Sequence, residues 1–473
     1  MGTPGGGRSL PSMRLLRHFN LFNFPDMSKE TMTRIFKKIL EWGFASYSAT
    51  WQQQIGTMTE LTIETYQKAV QVLLPLPRKA HYLFNMRQVS EIIQGLFSVP
   101  AEVIESQREK LTSLKRLWLH EVMRVFSDRL INEEDKDLFV SECLTFEGSS
   151  FFNESDIQSA SSIIFCNFVN PDLEDPVYME SKSNELLRIS LQQVVEQYNA
   201  KSSGREKLSV LRFDYLLRHM AHVSRIIAKP FGNGLLIGLA GNGRKTIAKL
   251  ATFINECSSY KINLHKNYGQ PEWLDDLRNL YKTLGIDNKK IVFSFSDKDI
   301  KQEAFIEDIN NILNVGELTS LFTPEDEEEI HYEIEKQLKK ARVKNTSQEA
   351  THAFFNKRCK RNLHLLLTMS PAGNQLQSYF RKYPSLVNCT SIDWFLSWPT
   401  EALKAVSDHY LLKLHGVIVE STQIITPFNS MHQVAEAKTG TAANTHQKAL
   451  ETIAEGFEPV EADGAAAEIM KQE

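Results

Sequence analysis

Residues 235–254 read LLIGLAGNGRKTIAKLATFI. LLIGL (235–239) is a short continuous apolar run, the pattern of a strand buried on both faces. Gly238, Gly241 and Gly243 break it, and Ile247–Ile254 resumes as a helix. A strand, a glycine-rich turn and a helix in that order make a phosphate cradle. Small residues let backbone N–H groups face the anion, and the helix N-terminus adds partial positive charge. In the pattern G-x-x-x-x-G-K-[ST] a lysine then reaches the β and γ phosphates, and a hydroxyl holds magnesium. Here Arg244 stands at the lysine position, Lys245 at the hydroxyl position, and Thr246 one place late. Arg244 can pair with phosphate oxygens, as a planar fork rather than a compact ammonium. The competing reading is an ordinary strand-turn-helix whose glycines only tighten the turn.

A second apolar run, IVFSFS (291–296), ends in Asp297, where a neighbouring strand would bring an acid to a phosphate-bound magnesium. A full acidic pair is missing, because Ser296 precedes Asp297, and Asp299 or Glu303 are the candidates to compensate. The expected ligands are ATP or ADP with Mg2+, the metal shared by Thr246 and Asp297. Binding without efficient hydrolysis is the reading.

The strands LLIGL, IVFSFS and HLLLTMS (364–370) alternate with helices over 235–400, which predicts an α/β fold with a parallel sheet. The acidic-to-basic run 325–344 reads as a solvated helix whose charges complement its dipole. Upstream, Ile35, Phe36, Ile39 and Leu40, then Val89, Ile92, Ile93 and Leu96, recur at helical spacing. Residues 101–142 also read as helical, SIIFCNFV (162–169) as a buried strand, and Asn184–Tyr198 and Phe213–Ile227 as helices. Residues 435–473, poor in large apolar side chains, predict a weakly ordered tail.

A chain of 473 residues can hold two or three domains. Its net charge of -4 supplies no global basic field for nucleic acid. The five scattered cysteines form no CxxC pair and read as reduced thiols. No apolar run approaches the ~18 residues that a membrane span requires, so neither membrane nor nucleic acid is an expected partner. His120-Glu121 opens like a zinc-protease helix, but Arg124 stands where a second histidine is required, so a surface helix is expected. His18, His81 and His219 read as ordinary helix or loop residues.

Several stretches together resemble the dynein heavy chains, AAA+ motors of cilia and cytoplasmic transport. They are MGTPGGGRSLPSMRLLRHFN, LLPLPRKAHYLFNMRQVSEIIQGL, LWLHEVMRVFSDRL, FGNGLLIGLAGNGRKTIAKLA, IVFSFSDKDIKQEAFIEDINNILNVGEL and LLLTMSPAGNQLQSYFRKYPSLVNCTSIDWFLSWP. The resemblance runs from residue 1 to about 411. It implies a P-loop AAA+ module preceded by a helical partial one: 1–145 the back part of the third ring module (its helical lid), 146–411 the fourth, and 412–473 a divergent tail. Under that reading Arg87 in FNMRQ matches the sensor II arginine of the partial module, and Ser370 in TMSP stands at sensor I. Arg381 is left as the possible arginine finger, since Gln377 and Tyr379 stand where relatives often carry arginine. Arg244 and the Ser296-Asp297 pair resemble the axonemal branch, in which Gly-Arg-Gln-Ser is usual, so Lys245 is this chain's own departure.

The implied role is an ATP-binding part of an axonemal, minus-end-directed microtubule motor for cilium movement. The implied partners are dynein intermediate, light intermediate and light chains, in the cytoplasm, cytoskeleton and ciliary axoneme. No counterpart of the main hydrolytic module, stalk or microtubule-binding tip is found, so microtubules would be reached only through regions absent from this sequence. The alternative is a non-motile nucleotide-binding module docked on dynein.

Overall fold

The computed structural model describes residues 12–406, apart from 23, 25–26, 106–108, 147–150, 171–176, 203–206, 209–212, 319–320, 341–346, 401 and 405. The expected tail lies outside the described residues.

The strands are β1 (Phe165–Cys166), β2 (Met179–Glu180), β3 (Gly234–Ile237), β4 (Ser258–Tyr260), β5 (Ile291–Ser296), β6 (Leu363–Met369) and β7 (Ser391–Trp394). Five of them form one parallel sheet in the order β4-β5-β6-β3-β7, so the phosphate-loop strand is interior, between β6 and β7. This is the α/β P-loop architecture that the sequence predicts. The expected strand over 162–169 is a correction. Only Phe165–Cys166 is extended, and it pairs antiparallel with β2 outside the main sheet.

Side chains alternate across the sheet, as the pleat dictates. Leu235, Ile237, Phe293, Phe295, Leu365 and Leu367 enter a core with Trp273, Leu280 and Phe305 from the helices Gln270–Gly285 and Glu303–Asn314. Leu236, Val292 and Leu366 face the other way, onto Leu217, Leu250 and Leu191 of the helices Asp214–Ala228, Arg244–Ile254 and Asn184–Lys201. Burial on both faces is why these strands read as unbroken apolar runs.

Residues 29–143 form a helical unit with its own core around Trp51, Trp118, Phe126 and Phe139. Its first helix, Lys29–Gly43, is capped by Ser28, whose hydroxyl accepts from the Thr31 amide. Met32, Phe36 and Leu40 point inward, whereas Ile35, Ile39 and Trp42 are exposed on the outer face. The helix expected over 101–142 is interrupted: α-helical at Lys110–Val122 and Glu133–Leu138, with π turns at Met123–Ser127 and Phe139–Cys143.

The two units are joined by buried charge. Glu121, fully buried, accepts hydrogen bonds from Arg225 Nε at 2.9 and 3.0 Å and from Tyr178 Oη at 2.9 Å, with Lys229 Nζ at 3.4 Å. Burial alone would raise its pKa, but Arg225 and Lys229 outweigh it and hold the carboxyl well below the usual carboxylate range. Beside it, His222 Nδ1 lies 2.9 Å from Asp128 Oδ2 and 3.6 Å from Asp393 Oδ1, and His219 pairs with Asp393 at 2.8 Å. The Trp394 amide of β7 donates to Asp128 O at 2.8 Å. His120, expected on a surface helix, is buried, with Nδ1 2.9 Å from Ile163 O. Its ring packs against Phe165 and Tyr178 on the inward face. His81 is also buried and stacks on Trp394 with centroids 4.9 Å apart.

Candidate nucleotide-binding site

β3 ends at Ile237, and the Gly238 amide donates to Met369 O at 3.2 Å, tying the start of the loop to the end of β6. On the other side the Phe395 amide donates to Ile237 O at 2.7 Å. The loop turns through left-handed backbone at Gly241 (φ 88) and Gly243 (φ 76), which a side chain at Cβ disfavours. Gly243 is the N-cap of the helix Arg244–Ile254. The amides of its first turn, Arg244, Lys245 and Thr246, have no intrahelical acceptor and carry the positive end of the helix dipole. An anion in the loop therefore meets oriented donors at the end of an interior strand.

Arg244 is the first helical residue, so it stands structurally where the motif has lysine. Its guanidinium is folded back: Nη1 donates to Met369 O at 2.6 Å and Nη2 to Leu239 O at 3.2 Å. Burial pushes its pKa down, with Asp297 opposing. It thus clasps β6 to the loop. Lys245 is exposed at the second helical position, among the charges of Lys261 and Lys298 and of Asp299 and Asp297. Burial, with the two lysines, pushes its pKa down against the two acids. Thr246 is half-buried, and one further residue along the helix turns its side chain by about 100°.

Asp297 stands exposed just past β5. Its Oδ2 accepts from the Ser370 amide at 3.2 Å and its Oδ1 from Lys298 N at 2.9 Å. The structure therefore brings together three residues distant in sequence: Arg244, Asp297 and Ser370. The Ser370 hydroxyl caps the next turn, accepting from Ala372 N at 3.3 Å. The two acids named as substitutes are otherwise engaged. Asp299 is buried and accepts from Ser296 N at 2.8 Å and Ser296 Oγ at 2.7 Å. Glu303 pairs with Lys382 and accepts from Tyr383 Oη at 3.2 Å.

The loop fits a nucleotide phosphate: left-handed glycines and first-turn amides converge on it, with Lys245 exposed at the second helical position. The donor set fits magnesium poorly, because an ammonium, Lys245, stands where a hydroxyl ligand belongs.

Arg87 and Arg381 lie away from this loop. Arg87 sits at the start of the helix Met86–Leu96, and its Nη1 donates to Asn388 O and Cys389 Sγ, both at 2.8 Å, linking the helical unit to the loop before β7. Arg381 is exposed in the last turn of the helix Gln375–Lys382. Sequence reasoning missed the joint of Glu121, Arg225, Lys229, Asp128, His222 and Asp393. The available signal was charged residues on otherwise apolar helix faces. Among the described residues, Asp128, His222 and Asp393 are the trio whose ligand atoms lie within 4.8 Å of one another. Arg124 Nε, 3.1 Å from Asp128 Oδ2, already supplies positive charge there, so the trio is an ion-pair cluster.

Comparison with known proteins accounts for both units. The family described as "P-loop containing dynein motor region D4" matches residues 208–457, past Leu412, where the motif-by-motif resemblance ends. "Dynein heavy chain, ATPase lid domain" matches residues 31–136. Dynein axonemal heavy chain 1 of Homo sapiens is 35% identical over 426 residues, covering 87% of this chain and 10% of that protein. Dynein axonemal heavy chain 2 of Homo sapiens is 35% identical over 415 residues (87% and 9%), and dynein axonemal heavy chain 3 of Mus musculus 33% over 432 (87% and 10%). The chain spans about a tenth of the length of these curated relatives. A phosphate loop inside a parallel sheet, a helical lid packed against it and matches to both pieces lead to one assignment: the chain belongs to the dynein heavy chain family.

Proposed function

We propose that this chain binds ATP or ADP at the Gly238–Thr246 loop and turns it over slowly, as a regulatory nucleotide site of an axonemal dynein heavy chain. One observation carries the reading. Asp297 is the acid at the end of β5 within the field of Arg244, while Asp299 and Glu303 are held by Ser296 and by Lys382 with Tyr383. Hydrolysis needs a group to take the proton of the attacking water, within hydrogen-bond reach of it. The neighbouring carboxylates are engaged, so binding outlasts chemistry.

The boundaries 1–145, 146–411 and 412–473 belong to this proposal. So do sensor I for Ser370, sensor II for Arg87 and the finger for Arg381, the last two acting on sites formed with other parts of a ring. Association with dynein intermediate, light intermediate and light chains, a place in the axoneme, and microtubule movement are proposed for the longer assembly.

Calorimetric titration of the purified chain with ATP and with ADP tests this, beside a phosphate-release assay with and without microtubules. The expected result is saturable binding with turnover near background. Rapid or microtubule-stimulated hydrolysis would sink the slow-site reading, and absence of binding would sink the nucleotide reading altogether.

A further inference from the structure

The motif position that supplies a magnesium ligand holds a lysine. Because Gly243 is the N-cap and Arg244 the first helical residue, Lys245 is structurally the hydroxyl position, not a displaced copy of the motif lysine. Thr246 cannot take over without moving, since the helix carries its side chain about 100° around the axis. Arg244 does not fill the gap either, its guanidinium being engaged by Met369 O and Leu239 O. Lys245, by contrast, is exposed at the second helical position, in the field of Lys261 and Lys298 and of Asp299 and Asp297.

We propose that the ammonium of Lys245 replaces magnesium as the cation against the nucleotide phosphates, so that this site takes ATP or ADP without a divalent ion. The chemistry is balanced without bond changes. An ammonium offers three donors and one charge at the end of a flexible stem, and Asp297 accepts from the Ser370 amide. A fixed cation in place of Mg2+ also removes the ion that would polarise the γ-phosphate, which accords with slow turnover. The inference rests on the nucleotide-binding reading, and the test separates the two.

ADP and ATP are titrated into the full chain by calorimetry, in EDTA and in excess Mg2+. The expected result is dissociation constants in the two conditions that agree within about threefold, less than the 1.4 kcal/mol of a tenfold change. Lys245→Met removes a charge-assisted hydrogen bond and should weaken binding in EDTA by about tenfold or more. Lys245→Ser restores the motif hydroxyl and should bind only with Mg2+. Lys245 is exposed, so neither change disturbs a core. Binding in neither condition would defeat the nucleotide reading itself. Binding by the wild-type chain only in Mg2+ would overturn this proposal and return the metal to Thr246 and Asp297. Metal-independent binding that survives in both variants would show that Lys245 is not the cation, and overturn it as well.

Discussion

Replacing Glu121 by glutamine removes one charge from the joint between the lid and the sheet, and the structure sets the consequence. Glu121 is fully buried; Arg225 and Lys229, its cationic partners, retain 3% and 15% side-chain exposure. Lys229 escapes part of the penalty, because burial, with Arg225 adding, has already pushed its pKa down to about 8 and it can shed its proton. Arg225 cannot, because a guanidinium keeps its proton in proteins. Glu121→Gln therefore leaves a buried guanidinium without its hydrogen-bonded counter-charge, which costs about 3–5 kcal/mol. At about 2–4 °C per kcal/mol for a domain of 150–250 residues, the melting midpoint should fall by about 6–20 °C. Calorimetry gives the midpoint, and hydrogen exchange should lose protection in Lys110–Val122 and Asp214–Ala228 first. Glu121→Leu with Arg225→Met removes both charges and should recover most of the loss, since an apolar pair of similar volume is often neutral or better. A Glu121→Gln midpoint within the roughly 1 kcal/mol typical of exposed pairs would refute the reasoning. The site is also sterically exacting: a Cβ on Gly95 would stand 1.6 Å from Glu121 Oε2, so Gly95→Ala should be comparably damaging.

His222 gives a pH signature. Burial alone would lower its pKa, but Asp128 and Asp393 raise it above the ordinary 6.5. Its stabilisation is thus complete below pH 6.5 and lost as pH rises through the raised folded value; His222→Gln should flatten that alkaline decline in melting temperature, and an unchanged decline would count against the assignment. Gly243→Ala forces a Cβ onto φ 76, at about 1–2 kcal/mol, and should shift the helix start enough to weaken ADP binding measurably by calorimetry; unaltered affinity would show that the loop does not hold phosphate. Arg244→Ala releases the carbonyls of Met369 and Leu239, an estimated loss of about 1–3 kcal/mol, and should lower both the melting midpoint and ADP affinity; if only the midpoint falls, Arg244 is a strut alone.

The sheet was legible because its strands are buried on both faces. LLIGL, IVFSFS and HLLLTMS announce themselves as apolar runs, and the observed strands begin and end within two residues of them. Ser258–Tyr260 and Ser391–Trp394 gave no comparable signal. They are short strands at the two edges, each with a strand neighbour on one side only among the described residues. SIIFCNFV misled for the opposite reason: its buried residues pack as irregular chain against the helices, since apolarity reports burial and not backbone conformation. At the site, the loop, Asp297 and Ser370 could be placed by motif. The folding back of Arg244 and the capture of Asp299 by Ser296 could not, because each depends on which hydrogen-bond partners lie nearest in space. The joint was hidden further, since Glu121, Arg225 and His222 look like surface charges until three elements close around them.

The same geometry relates the joint to the loop. β7 is hydrogen-bonded along its length to β3, and Phe395 continues that contact to Ile237, the last residue before the phosphate loop. Asp393 and Trp394 of β7 are the residues that hold His219, His222 and the Asp128 carbonyl of the lid. The lid therefore meets the sheet at the strand beside the loop. Arg87 donates to Asn388 O three residues before β7, a further contact of the lid with the same edge. Within one chain, the strand that borders the phosphate loop also touches the lid, through Trp394, which donates to Asp128 O and stacks on His81.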